Sequence, residues 1–394
     1  MVDYDPFAEE TLQDPFPIYR RLREESPVHY IESLDAWAVS RFQDIWDVSL
    51  DTEHLTVTQG TSTPFVLTKS LPPFRNLNHM DPPEHTVLRT QIAPFFMPNR
   101  VRELALRMRA IVNECIDEFV DRGEADIVGE LAQIVAIRVG CLVVGFPEAE
   151  AGRLVSLVKR FMARAPGAQG LTPDGIEAFG EMCAFLGEIA DRQRDYKGES
   201  RQPIDAFLRL ADEGLIPQEE VGQHLALLLV GATETFPKAF ANAVVLLGRH
   251  PDQRAELVAD PSLTPGGLRE CLRLGMPTQY LLRVVTRPFE LHGQKLSPGQ
   301  AVLLMYASGN RDDREFEEPD RFDVHRLSRR ILTFGHGTHR CLGAFVAEME
   351  GRLMLEELLR RIPEYEVDEA AGARDVADFI QGYSALPIRF AVAG

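Results

Sequence analysis

A chain of 394 residues with 45% hydrophobic and 26% charged side chains has the composition of an ordinary globular protein, long enough to bury a large core. Its formal net charge of −18 excludes general nucleic-acid binding, which needs a basic footprint. No apolar run of the roughly 18 residues needed to span a bilayer is read along it, and the acidic, Pro-rich start MVDYDPFAEETLQDPFP lacks the basic head and apolar centre of a signal peptide, so a cytoplasmic protein with no membrane partner is expected.

In chain order, Pro17 to Glu25 predicts a helix, and VHYI and WAVS predict two short strands around a polar turn. Asp51 to Pro83 is rich in Thr, Ser and Pro but carries the apolar groups TPFVL and LPPF, the pattern of a long functional loop. From His85 to about His250 the period is helical almost throughout, with a loop-like interruption, RAPGAQGLTPDG, at Arg164 to Gly175. A long helix is expected from Pro217 to Gly248: Pro217 suits its first turn, Glu219 and Glu220 complement its dipole, and Gly248 with Pro251 marks its end. Its centre, LALLLVGATETF, is apolar on nearly every face, so the helix is expected to be buried, and Gly231 and Pro237 predict a kink around Thr235. After Pro288, FELHG and AVLLMYA read as strands, NRDDREFEEPDRFD as a polar stretch, the residues from Cys341 to about Arg361 as a helix, and ALPIRFAV as a last strand. The chain is thus predicted to be mainly α, one domain over residues 1–394, with its helical part mainly at 85–275 and 341–361. A small β-rich part comes from 26–60, 284–310 and the C-terminal strand.

Five cysteines, scattered and without a C-x-x-C pair, argue against a disulfide framework and a structural zinc site. Four read as small buried hydrophobes. The fifth, Cys341, lies in FGHGTHRCLG, where three glycines permit tight turns or close approach of a flat ligand. It opens a helix beside Arg340, a setting that favours a thiolate, so it suits a metal ligand or a nucleophile. The apolar helix holds Thr233, Glu234 and Thr235, and a carboxylate in such surroundings needs a partner or a task. MDPPEHTVLR puts His85 and Arg89 on one helix face, able to hold carboxylates or phosphates, and Glu270 with Arg273 forms E-x-x-R. Two stretches are basic: Arg89 to Arg109 has five arginines against one Glu, and His325 to Arg340 four arginines, three histidines and no acid. They suit an acidic partner as well as a solvated surface.

Taken together, and in this order, these features resemble the cytochrome P450 family of soluble bacterial type. FGHGTHRCLG is similar to its haem-binding loop, RECLR to its E-x-x-R, and PDRF (Pro319 to Phe322) to the segment whose arginine, here Arg321, completes a Glu-Arg-Arg cluster. GATET is similar to its oxygen-side motif, with Ala232 where a second glycine is usual and Pro237 as an addition, and HTVLR and QYLLR to its propionate-binding segments. The resemblance implies haem b held between the long distal helix and the cysteine loop, with Cys341 as iron ligand. His85, Arg89, Arg283 and His339 would then sit on the propionates, Phe334, Gly335 and Gly343 around the sulfur, and Ala232 on the distal side. Thr235 and Glu234 would form the acid–alcohol pair that supplies protons where dioxygen is used. It further implies a substrate wall from Phe65, Val66, Phe74, Leu228, Thr233, Thr278, Gln279 and Gln381, suited to a terpenoid, steroid or aromatic. The expected function is a monooxygenase that hydroxylates or dealkylates such a molecule, monomeric and fed by an acidic ferredoxin docking on the basic stretches. The alternatives are a haem-containing binder or sensor without turnover and a peroxide-driven peroxygenase. A hydrolase using Cys341 is the remotest reading.

Overall fold

A computed structural model describes residues 2–72, 74–163, 171–194 and 202–392; the expected interruption at 164–175 therefore falls outside it up to residue 170. Its longer helices are α1 (Phe16–Glu25), α2 (Glu84–Ile92), α3 (Pro98–Asp117), α4 (Gln133–Val144), α5 (Ala151–Met162) and α6 (Pro173–Gln193). They continue with α7 (Pro203–Asp212), α8 (Glu220–Thr233), α9 (Thr235–Arg249), α10 (Pro251–Ala259), α11 (Thr264–Leu274) and α12 (Ala344–Arg361). Helices α1, α3, α6, α7, α10 and α11 each carry a proline in their first two positions, where the missing N–H has no intrahelical partner to lose.

The expected helix over 217–248 is present but divided: α8 stops at Thr233 and α9 starts at Thr235. Pro237 explains the break. It has no N–H for the carbonyl of Thr233, four residues earlier, and its ring crowds that carbonyl. Helix α8 packs against α4 and α6. It meets α6 at Gly222, where a Cβ would fall 2.1 Å from the carbonyl oxygen of Cys183, so no larger residue allows the two backbones to come this close. Burial holds the thiols of Cys141 and Cys183 up at about 12, in keeping with inert packing groups.

The β-rich part is a five-stranded sheet in the order β1 (Val28–Ile31), β2 (Ala36–Val39), β8 (Ala301–Leu304), β5 (Leu281–Val285), β3 (Leu55–Thr56). Strands β2 and β8 run parallel and the other pairs antiparallel. Strand β5 lies where the sequence suggested only a ligand-binding arginine. Smaller sheets pair β4 (Glu124–Asp126) and β9 (Glu366–Val367) with β12 (Pro387–Arg389), β6 (Phe289–Leu291) with β7 (Gln294–Leu296), and β10 (Ala373–Val376) with β11 (Gln381–Ala385). Apolar side chains gather into two cores, one among the helices and one on the five-stranded sheet. Contrary to the reading of the sequence, Ile127–Val144 is apolar and long enough to cross a membrane by composition, but most of it is buried in the helical core.

Candidate functional site

The cysteine loop is a tight hairpin tied to the β-rich part. The N–H of Cys341 donates to the carbonyl of Phe334 at 2.8 Å, and that of Gly335 to Leu332 at 2.8 Å. Gly337 has φ +72°, and a Cβ there would fall 2.3 Å from the carbonyl of Ser49, so both backbone and neighbour require glycine. His336, which the sequence left without a role, stacks on Trp46 with ring centroids 3.4 Å apart. The loop is thereby pinned to the short helix Phe42–Val48 and the residue after it. Gly343 differs: its φ is −83° and a Cβ would meet nothing within 4 Å.

Cys341 is deep among protein atoms yet open to solvent-sized contact, as a side chain lining an internal cavity must be. Burial pushes its thiol up, opposed by the backbone N–H of Gly343 and the charges of Arg89 and Arg340. Arg89 donates to the Arg340 carbonyl and Arg283, on β5, to its own neighbour Leu282 at 2.8 Å. His85 and His339 face each other with ring centroids 4.3 Å apart, and both ring nitrogens of His85 are buried without a partner. Burial and then Arg89 push His85 down to about 4; burial, Arg283, His85 and Arg89 push His339 down to about 2. Among the described residues none of these four forms an ion pair with a carboxylate. Two arginines and two imidazoles brought together without an anion, beside a cysteine, fit a flat dianionic metal cofactor, and the haem expected from the resemblance is of that kind.

Where α8 breaks, Gly231 and Thr235 share a face one helical turn apart. A Cβ on Gly231 would meet nothing within 4 Å, and the Thr235 hydroxyl lies 3.4 Å from the Gly231 carbonyl. Ala232 does not line this face, contrary to expectation: its methyl would lie 3.4 Å from a Cβ on Gly140 of α4, so it is a helix-packing group. Thr233 is a correction too. It is buried, and its hydroxyl donates to the carbonyl of Leu229 at 2.8 Å, which turns it away from the wall assigned to it. Glu234 is held by Lys238, Nζ to Oε1 2.6 Å, and Lys238 reaches Asp375 on β10 at 3.2 Å. The sequence reading overlooked Lys238, although E-x-x-x-K at i, i+4 was visible in ETFPK.

The remaining wall residues include two separate groups that are each held together. Phe65 and Phe74 pack edge to face at 5.7 Å, and Phe74 meets Phe161 of α5 at 6.4 Å and Phe179 of α6 at 4.0 Å. Val66 is buried beside Phe65, and Leu228 is half-buried on α8. Thr278 bridges to Ile380, Gln279 N–H donates to the Phe379 carbonyl at 2.8 Å and Gln381 N–H to the Pro277 carbonyl at 2.9 Å, which joins the segment before β5 to β11. His79 and Phe179 were missed. His79 lies 5.4 Å from the Phe74 ring, and burial pushes its imidazole down to about 4. A lone histidine in a Pro-rich loop and a phenylalanine in a helix gave no signal in the sequence.

Behind the cysteine loop, Glu270 and Arg273 form a fully buried pair, Nε to Oε2 2.7 Å. The arginine that completes the cluster is Arg326, whose Nε lies 3.1 Å from Glu270 Oε1. Arg321 does not: it is exposed and pairs with Glu318. The two basic stretches are also less basic than they read, because Arg100, Arg107, Arg109, Arg326 and Arg330 are each paired with a glutamate.

A family model for "Cytochrome P450" matches residues 259–370. A "Putative cytochrome P450 123" of Mycobacterium tuberculosis is 32% identical, over 98% of this chain and 96% of its own length. The "Cytochrome P450 monooxygenase PikC" of Streptomyces venezuelae is 32% identical over 99% and 94%. The crystal structure of CalO2 superposes over the whole of both chains with a TM-score of 0.89 at 27% identity.

Proposed function

The chain belongs to the cytochrome P450 family, which binds haem b, and from that premise we propose that this monooxygenase hydroxylates or oxidatively dealkylates a medium-sized hydrophobic molecule with electrons from an acidic ferredoxin. The observation that carries the reading is the convergence of Cys341 with two arginines and two imidazoles, together with the unpartnered nitrogens of His85.

Haem, when bound, supplies the redox chemistry by which dioxygen is split. The rest of the mechanism belongs to the chain. Cys341 would hold the iron through its sulfur, as a thiolate that has given up the proton burial otherwise retains. The Gly343 N–H points at that sulfur and moderates its donor strength. His85, Arg89, Arg283 and His339 would hold the propionates, whose charge would oppose the burial and the neighbouring positive charges that keep both imidazoles low. The Thr235 hydroxyl, at the break between α8 and α9, holds a proton at the dioxygen side, and Glu234 replenishes it. Phe65, Phe74, Phe161 and Phe179 exclude water and favour an apolar substrate, such as a terpenoid, steroid or substituted aromatic.

The ferredoxin assignment is supported by Arg102, which has no carboxylate partner among the described residues and borders a groove of about 360 Å³ with Phe345, the latter lying under Arg340 at 5.5 Å and so next to the cysteine loop; Arg269 and Arg352 also line it but are paired with Glu348 and Glu356. Reduced protein under carbon monoxide is expected to show the red-shifted Soret band of thiolate ligation, and Cys341→Ser to lose it while keeping its helical circular dichroism. An unshifted band in the parent protein overturns the reading.

A further inference from the structure

Glu234 faces a second cavity, of about 520 Å³, on the side of the α8–α9 break turned toward the start of α4, the end of α5 and the β10–β11 hairpin. Thr233, Glu234, Pro237 and Lys238 line its inner side, and Lys159, Arg374 and Asp375 carry charge there too, Lys159 and Arg374 being exposed. Apolar side chains, among them Met162, Phe379 and Ile380, share the lining with these five charged ones, which need partners or water, and the cavity is large and polar enough to hold several waters.

Lys238 is the unusual member. Its side chain is 8% exposed, and its ammonium lies between two carboxylates, 2.6 Å from Glu234 and 3.2 Å from Asp375. Burial pushes this lysine down, but Glu234 and then Asp375 more than offset that and hold it above the usual lysine value. Glu234 joins the two helices with a near-helical backbone, φ −99° and ψ −48°, its N–H still bonded to the Val230 carbonyl at 3.2 Å, and the Lys238 contact one turn ahead fixes where its carboxylate lies. Pro237 leaves the carbonyl of Thr233, a buried residue that also lines this cavity, without its helical N–H partner.

We infer that Lys238 is a positioning residue for proton supply: anchored outward by Asp375, it holds the Glu234 carboxylate at the inner end of a water-filled port that opens between α5 and the β10–β11 hairpin. The inference rests on the monooxygenase reading and names where its protons enter. A proton from bulk solvent is relayed along waters in the port to the Glu234 carboxylate, and the carboxyl passes it on to the neighbouring Thr235 side; each water takes up one proton as it gives one, so no hydroxide is left behind. No electrons move in this step.

Two measurements on the haem-loaded protein test it. With a surrogate ferredoxin and its reductase, Lys238→Met is expected to raise the hydrogen peroxide released per dioxygen consumed several-fold and to enlarge the solvent deuterium isotope effect. Lys238→Arg should restore most of the parent value, and imidazole binding should stay unchanged, while the thermal midpoint of Lys238→Met falls because Glu234 loses its partner. If peroxide release does not change, or changes only together with imidazole binding and is not rescued by arginine, Lys238 is a packing residue and the inference fails. Independently of turnover, the Lys238 amine is expected to acylate slowly in the parent protein and several-fold faster in Asp375→Asn and Glu234→Gln, read by peptide mass mapping. Equal rates overturn the anchored geometry. Failure of the monooxygenase reading itself would appear in the carbon monoxide spectrum, which neither measurement affects.

Discussion

Glu270 and Arg273 are wholly enclosed, so each charge depends on the other and on the groups that complete its hydrogen bonds: the carbonyls of Asn310 and Pro319 at 2.7 Å for the arginine, and Arg326 for the glutamate. Removing one member of such a set leaves a buried charge uncompensated. Arg326→Ala is expected to destabilise the protein by about 1–3 kcal/mol, whereas Arg321→Ala, exposed and paired only with Glu318, should stay within about 0.5 kcal/mol. Thermal midpoints of the two variants against the parent check this, and equal shifts would restore Arg321 to the cluster. At this scale the sequence is legible where a motif fixes both residue and spacing, as for Cys341, Glu270, Arg273, His85 and Arg89. It misleads where an arginine can be supplied from either of two nearby positions on an irregular segment, because nothing local says which one folds inward. Ala232 was misread for a related reason: a motif gives the residue's place in the chain but not the side of a broken helix on which it lies.

The break between α8 and α9 could be read from Gly231 and Pro237, since both act through their own backbone and need no tertiary context. Pro237→Ala supplies the N–H that the Thr233 carbonyl lacks. It is expected to raise the thermal midpoint, a gain of about 1–3 kcal/mol, and to increase peroxide release, because a closed ladder reorients Glu234. Calorimetry and a peroxide assay check the two halves; a variant more stable but no leakier would show the break to be incidental. Strand β5 was not legible. LLRVV is a short apolar run, and its partners β3 and β8 come from opposite sides of it in the chain, so no local signal separates it from a buried loop.

For the whole molecule, a net charge of −18 means that an acidic partner is repelled except where cations lack internal partners. The fold has used many: Arg107 and Arg138 both bind Glu114 and Glu148, and Arg109 binds Glu356 and Glu357. Such pairings join distant segments and cannot be seen along a sequence, which is why five arginines there overstated the patch. Arg102 has no carboxylate partner among the described residues and borders the groove beside Phe345. Arg102→Glu is expected to slow reduction by an acidic ferredoxin several-fold at low salt and to flatten its salt dependence, with the carbon monoxide spectrum unaltered. Stopped-flow reduction at several ionic strengths checks this, and an unchanged rate moves the docking face elsewhere. The apolar stretch Ile127–Val144 has a consequence during synthesis. It leaves the ribosome well before α6 and α8, the latter of which will cover it, so the nascent chain for a time displays a segment that insertion machinery could take for a membrane span. Arg138 stands inside that segment, where a charge near the bilayer centre costs about 2.5–3.5 kcal/mol. The residue that later closes a surface ion-pair network with Glu114 and Glu148 therefore first biases the unfinished chain away from the bilayer.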